Sequence, residues 1–412
     1  MTTVDLGTCR FCATPLRESF VDLGMSPLSN AYPEANNLLA PETFYPLHAF
    51  VCHACFLVQL HELQTPDAIF SDYAYFSSFS DSWLAHSKAF AGEMTARLGL
   101  GASSRVVEIA SNDGYLLQYF KQRGIAVLGV EPARNVAAQA IAAGIPTLVE
   151  FFGTAQARRM VEAGQRADLL VGNNVLAHVP DLNDFVAGLA LVLAPDGVLS
   201  MEFPHLMRLI DGNQFDTIYH EHFSYLSLFT VERVFAHHGL RLFDVEELPT
   251  HGGSLRVIAC RADARHVATG RVEALRAREL VAGYDRIETY RDFAARVIDT
   301  KCALLEFLIG ARRDGKRVVG YGAPAKGNTL LNFCGVRTDL LAYTVDRSPH
   351  KQGRLLPGTR IPILSPDEIA RTKPDYVLIL PWNLRDEITA QMAHVRSWGG
   401  KFVVPIPRVE IM

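Results

Sequence analysis

The chain has no surplus of positive charge: 40 Lys and Arg stand against 44 Asp and Glu, a formal net charge of −4. A partner held through nucleic-acid phosphates needs a basic face, so that class of function is not expected. Apolar runs are short, and none approaches the roughly 18 residues that cross a bilayer. The opening Met1-Thr-Thr-Val-Asp-Leu-Gly7 lacks the basic and apolar regions of a secretory leader. Solenoid-spaced repeats and low-complexity tracts are missing too. These absences point to a cytoplasmic enzyme with neither nucleic-acid nor membrane partners. No segment reads as an orphan apolar stripe, so a monomer is expected. What is present is ordinary for a globular protein: 412 residues, enough for two or three domains, 49% hydrophobic and 20% charged.

Residues 1–70 are rich in proline and poor in helical periodicity. Four of the seven cysteines fall there, as Cys9-x-x-Cys12 and Cys52-x-x-Cys55. In a reducing compartment two such pairs argue for a metal rather than disulfides. Four thiolates suit tetrahedral zinc, and a closed four-sulfur site leaves no position for substrate, so a structural Zn2+ is expected. A redox role has no βαβ pattern beside either pair to support it. Cys260, Cys302 and Cys334 stand alone and receive no role.

An aromatic, hydroxyl-rich segment over 70–80 precedes an amphipathic helix over 82–99. From residue 105 short apolar strands alternate with helices, at 106–110, 126–130, 145–149, 167–171 and 197–203. That alternation predicts an α/β fold with a parallel, doubly wound sheet and ligands at its carboxyl edge. Segments 240–246 and 254–260 read as an antiparallel hairpin closing the sheet. A charge-laced helical stretch over 270–314 is one helix, or two with a break near Gly283. A second α/β unit starts at Arg317, with strands at 341–345, 376–380 and 402–404. The division expected is 1–70, 71–265 and 266–412.

Two loops invite nucleotide-type ligands. The first, Glu108-Ile-Ala-Ser111-Asn112-Asp113-Gly114, has one glycine and crowded carboxylates, and Glu131 ends the next strand. Such a turn repels a pyrophosphate and suits a cofactor with a positive centre, of which S-adenosylmethionine (SAM) is one. Glu108 and Asp113 would face the cation, Glu131 the ribose hydroxyls, and Asn173 and Asn174 the adenine or methionine portion. A nicotinamide cofactor and a sheet with no ligand are the alternatives. The second loop, Gly320-Tyr321-Gly-Ala-Pro-Ala-Lys326-Gly-Asn328, approaches GxGxxA between a strand and a helix, with Asp346 ending the following strand. Backbone N–H groups, the helix N-terminus and Lys326 favour phosphate there, although Pro324 departs from the usual fingerprint. Trp382 and Asn383 follow a strand of the same unit and are nucleotide contacts or, for the tryptophan, core packing.

The densest chemistry lies in Asp216-Thr-Ile-Tyr219-His220-Glu221-His222-Phe-Ser-Tyr-Leu-Ser227. A histidine suits general-base work because its unperturbed pKa of roughly 6.5 lies near working pH. His222 is the choice, with Tyr219 or Glu221 orienting substrate, and His178 following the fourth strand at the carboxyl edge. A metal held by His220 and His222 would want a third ligand that the spacing does not offer; His220 is read as structural. His251, beside Gly252 and Gly253, shapes the hairpin or serves as a ligand.

Together these motifs resemble the bacterial deoxysugar C-methyltransferases that act on nucleotide-linked 4-ketosugars. The resemblance spans the chain: the two CxxC pairs, Asp72-Tyr73-Ala-Tyr-Phe-Ser-Ser78, Glu108–Gly114, Asn174-Val-Leu-Ala-His178, Tyr219–His222, His251-Gly-Gly-Ser254 and Gly320–Gly327. It implies a zinc domain, a central SAM domain of class I methyltransferase type and a Rossmann-like C-terminal domain for the sugar nucleotide. It further implies His222 as the base, Tyr73, His178, Tyr219 and Glu221 around the sugar, and thymidine diphosphate (dTDP) as the handle.

Overall fold

Strand and helix alternate from residue 105 onward as the periodicity predicts. The computed structural model describes residues 6–36, 39–65 and 76–412. Its contacts divide the chain into two units. The first comprises Met1–Arg17, Cys52–His205 and Phe223–Arg286; the second comprises Glu18–Val51, Leu206–His222 and Ile287–Met412.

The first unit is built on a seven-stranded sheet. Its order is Leu240–Leu248, Ser254–Arg261, Leu193–Pro204, Ala167–Asn173, Arg105–Ile109, Ala126–Val130, Thr147–Leu148. The last five of these run parallel, and their central members carry near-continuous apolar runs because both faces are covered. Val106, Val107, Leu169, Leu170 and Val171 are all fully buried. The hairpin does close the sheet: Ser254–Arg261 lies antiparallel to Leu193–Pro204, from Ser254 opposite Pro204 to Cys260 opposite Val198. The third strand is shorter than expected, since Pro146 has no N–H to give a ladder. Strand order reverses beside Arg105–Ile109, so the loops after it and after Ala167–Asn173 open at a topological switch point.

The helix Asp81–Leu98 starts where Ser80 accepts from Trp83 N–H and stops at Gly99 in the left-handed region. Its apolar stripe, Phe90, Ala91 and Met94, is buried with Val106, Phe120 and Ile258. The helical stretch after 270 breaks at Gly283 (φ +85°), giving Gly270–Val281, Glu288–Arg291 and Phe293–Arg313.

The second unit has a six-stranded sheet in the order Ile363–Leu364, Thr344–Val345, Val318–Tyr321, Tyr376–Ile379, Lys401–Val404, Glu410–Ile411. All pairs but the last are parallel, around a core of Val319, Val345, Val377, Ile379 and Phe402. The stretch between the two cysteine pairs belongs here. It forms an antiparallel pair, Glu18–Ser26 with Tyr45–Val51, and Phe20 stacks on Phe293 with ring centroids 4.6 Å apart.

Candidate active site and zinc centre

The two cysteine pairs fold into matching knuckles. Ala13 N–H donates to the Cys9 carbonyl and Phe56 N–H to the Cys52 carbonyl, at 2.9 and 2.8 Å. The residue after each pair turns left-handed, Ala13 at φ +57° and Phe56 at φ +62°. The ligand atoms of Cys9, Cys12, Cys52 and Cys55 lie within 4.8 Å of one another, with Cys9–Cys55 and Cys12–Cys52 sulfurs 3.5 Å apart. A tetrahedral ion with sulfur ligands at about 2.3 Å demands sulfur separations of about 3.8 Å, so the cage fits zinc. Hydrogen bonds from Cys52 and Cys55 hold the Cys9 thiol well below its usual range, and Gln59 Nε2 donates to its sulfur at 3.2 Å.

The first loop leaves Arg105–Ile109 through Ala110 and Asn112, both left-handed, to Gly114. Gly129 makes room for it: a Cβ there would stand 2.4 Å from Ser111 Oγ. Glu131 fastens the turn, accepting from Asn112 N–H at 2.9 Å and Ala133 N–H at 2.8 Å. Asn112 Oδ1 and Asp113 Oδ2 accept in turn from Ser77 and Ser78 N–H groups, at 2.9 and 3.0 Å. Glu108 is fully buried beside the Tyr115 hydroxyl, and Ser111 Oγ and Asp113 Oδ1 have no hydrogen-bond partner among the described residues. Burial raises the Glu108 carboxyl well above its ordinary range, and Asp113 and Glu131 push the same way. Alongside burial, Asp113 disfavours the charged form of both Glu108 and Glu131, and a turn of this kind with an unmet Asp113 oxygen fits a ligand that brings a positive centre and donors. Asn173 Nδ2 donates to Tyr115 OH at 3.3 Å, and Asn174 (φ +54°) donates through its backbone to the Glu202 carbonyl at 2.7 Å.

Behind that edge lies a network not anticipated from sequence. Glu202, fully buried, accepts from His86 Nε2 at 2.9 Å, Arg256 Nη2 at 3.0 Å and Thr250 Oγ1 at 3.0 Å. His251 stands near it, its Nε2 3.3 Å from Asn174 Nδ2 and its ring 5.7 Å from Trp83. His178, half-buried, closes a single 3-10 turn, Leu176–His178, on the same unit. Tyr73 lies outside the described residues.

In the second unit Tyr219–His222 is a tight turn, His222 N–H donating to the Tyr219 carbonyl at 2.9 Å. The two rings meet with centroids 4.0 Å apart. His222 Nδ1 lies 2.9 Å from the Thr217 carbonyl. A carbonyl only accepts, so this nitrogen donates, and the neutral ring carries its lone pair on Nε2. His220 points elsewhere, its Nε2 3.2 Å from the Pro46 carbonyl, which suits a structural part. Glu221 is buried, accepts from Asn30 Nδ2 at 2.6 Å, and is pushed up to about 7 by burial.

The glycine turn of the second unit is held by Asp346, whose oxygens accept from Ala323 and Ser348 N–H groups at 2.7 and 2.8 Å. Gly322 (φ +90°) is required, since a Cβ would meet Pro381 Cδ at 2.5 Å. Tyr321 is buried at the end of its strand. Asn328 Nδ2 donates to the Ser29 carbonyl at 2.6 Å. Lys326, half-buried, donates to Asn383 Oδ1 at 2.8 Å and lies 4.6 Å from the Trp382 ring centroid. The Trp382 indole N–H donates to buried Asp216 at 2.7 Å. Burial pushes Asp216 up to about 7 against the pull of Lys326. Asp216 thus anchors the turn whose next carbonyl orients His222, a part that local sequence signals do not assign.

Three families match the chain, described as a zinc binding domain over 9–70, a methyltransferase domain over 83–245 and a C-methyltransferase C-terminal domain over 249–407. C-methyltransferase NovU of Streptomyces niveus is 38% identical over 404 residues, which is 98% of this chain and 96% of that protein. Solved structures give looser likenesses. Magnesium protoporphyrin IX methyltransferase (ChlM) from Synechocystis PCC 6803 with bound SAM has 15% identity and a TM-score of 0.33, over 44% of this chain and 82% of that one. The glycopeptide N-methyltransferase MtfA has 15% identity and a TM-score of 0.34, over 42% and 96%. Neither is close enough to bear on site or substrate. The sheet order, the acidic loop and the cysteine cage define a SAM-dependent methyltransferase of class I fold with a structural zinc ion. Through its relationship to NovU, the chain belongs to the C-methyltransferase family.

Proposed function

We propose that the enzyme methylates the carbon beside the keto group of a nucleotide-linked 4-keto-deoxysugar, at C-3, with dTDP as the nucleotide. The observation that carries this reading is the His222 tautomer. Its Nδ1 is committed to the Thr217 carbonyl, so Nε2 is the atom able to take a proton. In this reading the C-3–H electron pair moves into an enolate as Nε2 takes the proton. An enolate carbon so formed would take up the electrophilic methyl group of a sulfonium cofactor, which would leave as a neutral thioether. SAM supplies that electrophilic methyl when bound. Tyr219 and Glu221 orient the ring or stabilise the enolate oxygen, and His178 and Tyr73 complete the surroundings. Glu108, Ser111, Asn112, Asp113, Gly114, Glu131, Asn173 and Asn174 hold the cofactor. Tyr321, Lys326, Asn328, Asp346 and Trp382 hold the sugar nucleotide.

The same proposal divides the chain into a zinc-binding part (1–70), a cofactor part (71–265) and a sugar-nucleotide part (266–412), acting as a cytoplasmic monomer. The test is His222→Asn. Both ligands should stay bound while turnover falls by a factor of about 10² to 10⁴, the usual worth of a positioned base. Near-normal kcat in that variant would remove His222 from the role.

A further inference from the structure

Arg10 lies between the first two cysteines, and the knuckle fixes its backbone. Its N–H donates to Gln59 Oε1 at 2.9 Å, while Gln59 Nε2 donates to the Cys9 sulfur. Its carbonyl and that of Phe11 accept from Asn183 Nδ2, at 3.2 and 2.9 Å. A folded cage therefore sets where the Arg10 side chain starts and which way it can run.

The guanidinium ends on two segments of the same unit, one bearing His178 and one adjoining His222 in the chain. Nη1 donates to the Pro180 carbonyl at 2.6 Å, just beyond His178. Nη2 donates to the Leu60 carbonyl, and the guanidinium carbon stands 5.4 Å from the ring centroid of Phe223. Phe223 directly follows His222 and is 1% exposed. Its N–H donates to the Ala177 carbonyl at 2.7 Å, and its carbonyl accepts from Leu60 N–H at 3.0 Å. Val58 and Gln59 then pair with Tyr225 and Ser224. Arg10, Leu60, Phe223 and the Ala177–Pro180 stretch thus close a ring of contacts with the first knuckle at one side. The planar fork of an arginine serves two carbonyls at once while lying against an aromatic ring, which the single ammonium of a lysine does less well.

A second arginine shows what a purely local tie looks like. Arg233 Nη1 donates to the Ala54 carbonyl of the other knuckle at 3.0 Å, and its guanidinium lies 4.2 Å from the Phe229 ring centroid. Its contacts end on the knuckle and on its own helix.

We propose that Arg10 is a positioning residue: through it the zinc centre fixes both the turn that carries His178 and the residue to which His222 is joined. The inference rests on the reading of His222 as the base and of His178 as part of the acceptor's surroundings.

The test uses full-length Arg10→Met and Arg10→Lys, with Arg233→Ala as the matched control, all loaded with zinc. Metal analysis should find stoichiometric zinc in each, and cofactor Kd should not move. Amide hydrogen exchange over 176–180 and 222–226 should speed up about tenfold or more in Arg10→Met, because those segments lose a tie. In the same variant kcat should fall about 10- to 100-fold with KM nearly unchanged, since small displacements of groups at the reacting atoms act on turnover. Arg10→Lys should recover part of both effects, and Arg233→Ala should show neither. Wild-type exchange in zinc-loaded Arg10→Met, or faster exchange with wild-type kcat, would overturn the proposal. An equal loss of kcat in Arg233→Ala would overturn it too, because any weakening of a knuckle would then suffice. Should Arg10→Met fail to fold, the same two readouts on Arg10→Lys decide. Near-normal kcat in His222→Asn beside a lowered kcat in Arg10→Met would remove the base reading while upholding the part of Arg10.

Discussion

Two strand–loop–helix turns, one per sheet, look alike in outline and differ in charge. The first gathers Glu108, Asp113 and Glu131, with an Asp113 oxygen that no described residue satisfies. The second carries a single acid, Asp346, occupied with its own backbone, and Lys326 nearby. The same backbone device thus serves opposite ligands: a cationic cofactor at one edge, an anionic nucleotide at the other in the proposed reading. The contrast also extends to how each is fixed. The acidic turn is tied by hydrogen bonds to neighbouring loops. In the second unit the Tyr32 hydroxyl donates to the Ala323 carbonyl of the glycine turn, and Asn30 Nδ2 donates to Glu221 beside His222.

The largest effect should come from the zinc cage. Cys52→Ser opens one corner of the four-sulfur site. It should abolish stoichiometric zinc and lower the melting temperature steeply, because binding energy at such a site is folding energy; metal analysis and calorimetry check this. Next, Asp113→Asn removes a charge from the acidic turn and Glu108→Gln a carboxyl able to ionise beside a cation. Cofactor affinity should fall about 10- to 100-fold by calorimetry, with nucleotide binding unmoved, and an equal loss at both ligands would break the contrast between the loops.

A subtler effect is in stability against pH. Burial holds Asp216 and Glu221 near 7, so the folded chain keeps protons that the unfolded chain releases in the ordinary carboxylate range. Their contribution is fully present below about pH 4 and is lost as pH rises through about 7. Asp216→Asn and Glu221→Gln cannot titrate and should flatten that loss by on the order of 3 kcal/mol per group between pH 4 and 8. Unfolding curves across that range, wild type against variant, measure the difference.

The strands around residues 106, 126 and 167 were readable because fully covered parallel strands leave near-continuous apolar runs. The cysteine cage was readable because its ligands come in two local pairs. What local pattern could not supply were contacts made over long separations. Asn30 meets Glu221 across 191 residues, and Trp382 meets Asp216 across 166. No periodicity marks such partners. Likewise nothing between the cysteine pairs announces that Glu18–Val51 joins the second unit.

The most direct measurement is proton exchange at the acceptor carbon in deuterated water, with a 4-ketosugar nucleotide and no cofactor. The account predicts that the wild type washes deuterium into C-3 and that His222→Asn does not. Turnover to methylated product with no exchange at C-3 under any condition, or exchange undiminished in the variant, would contradict it.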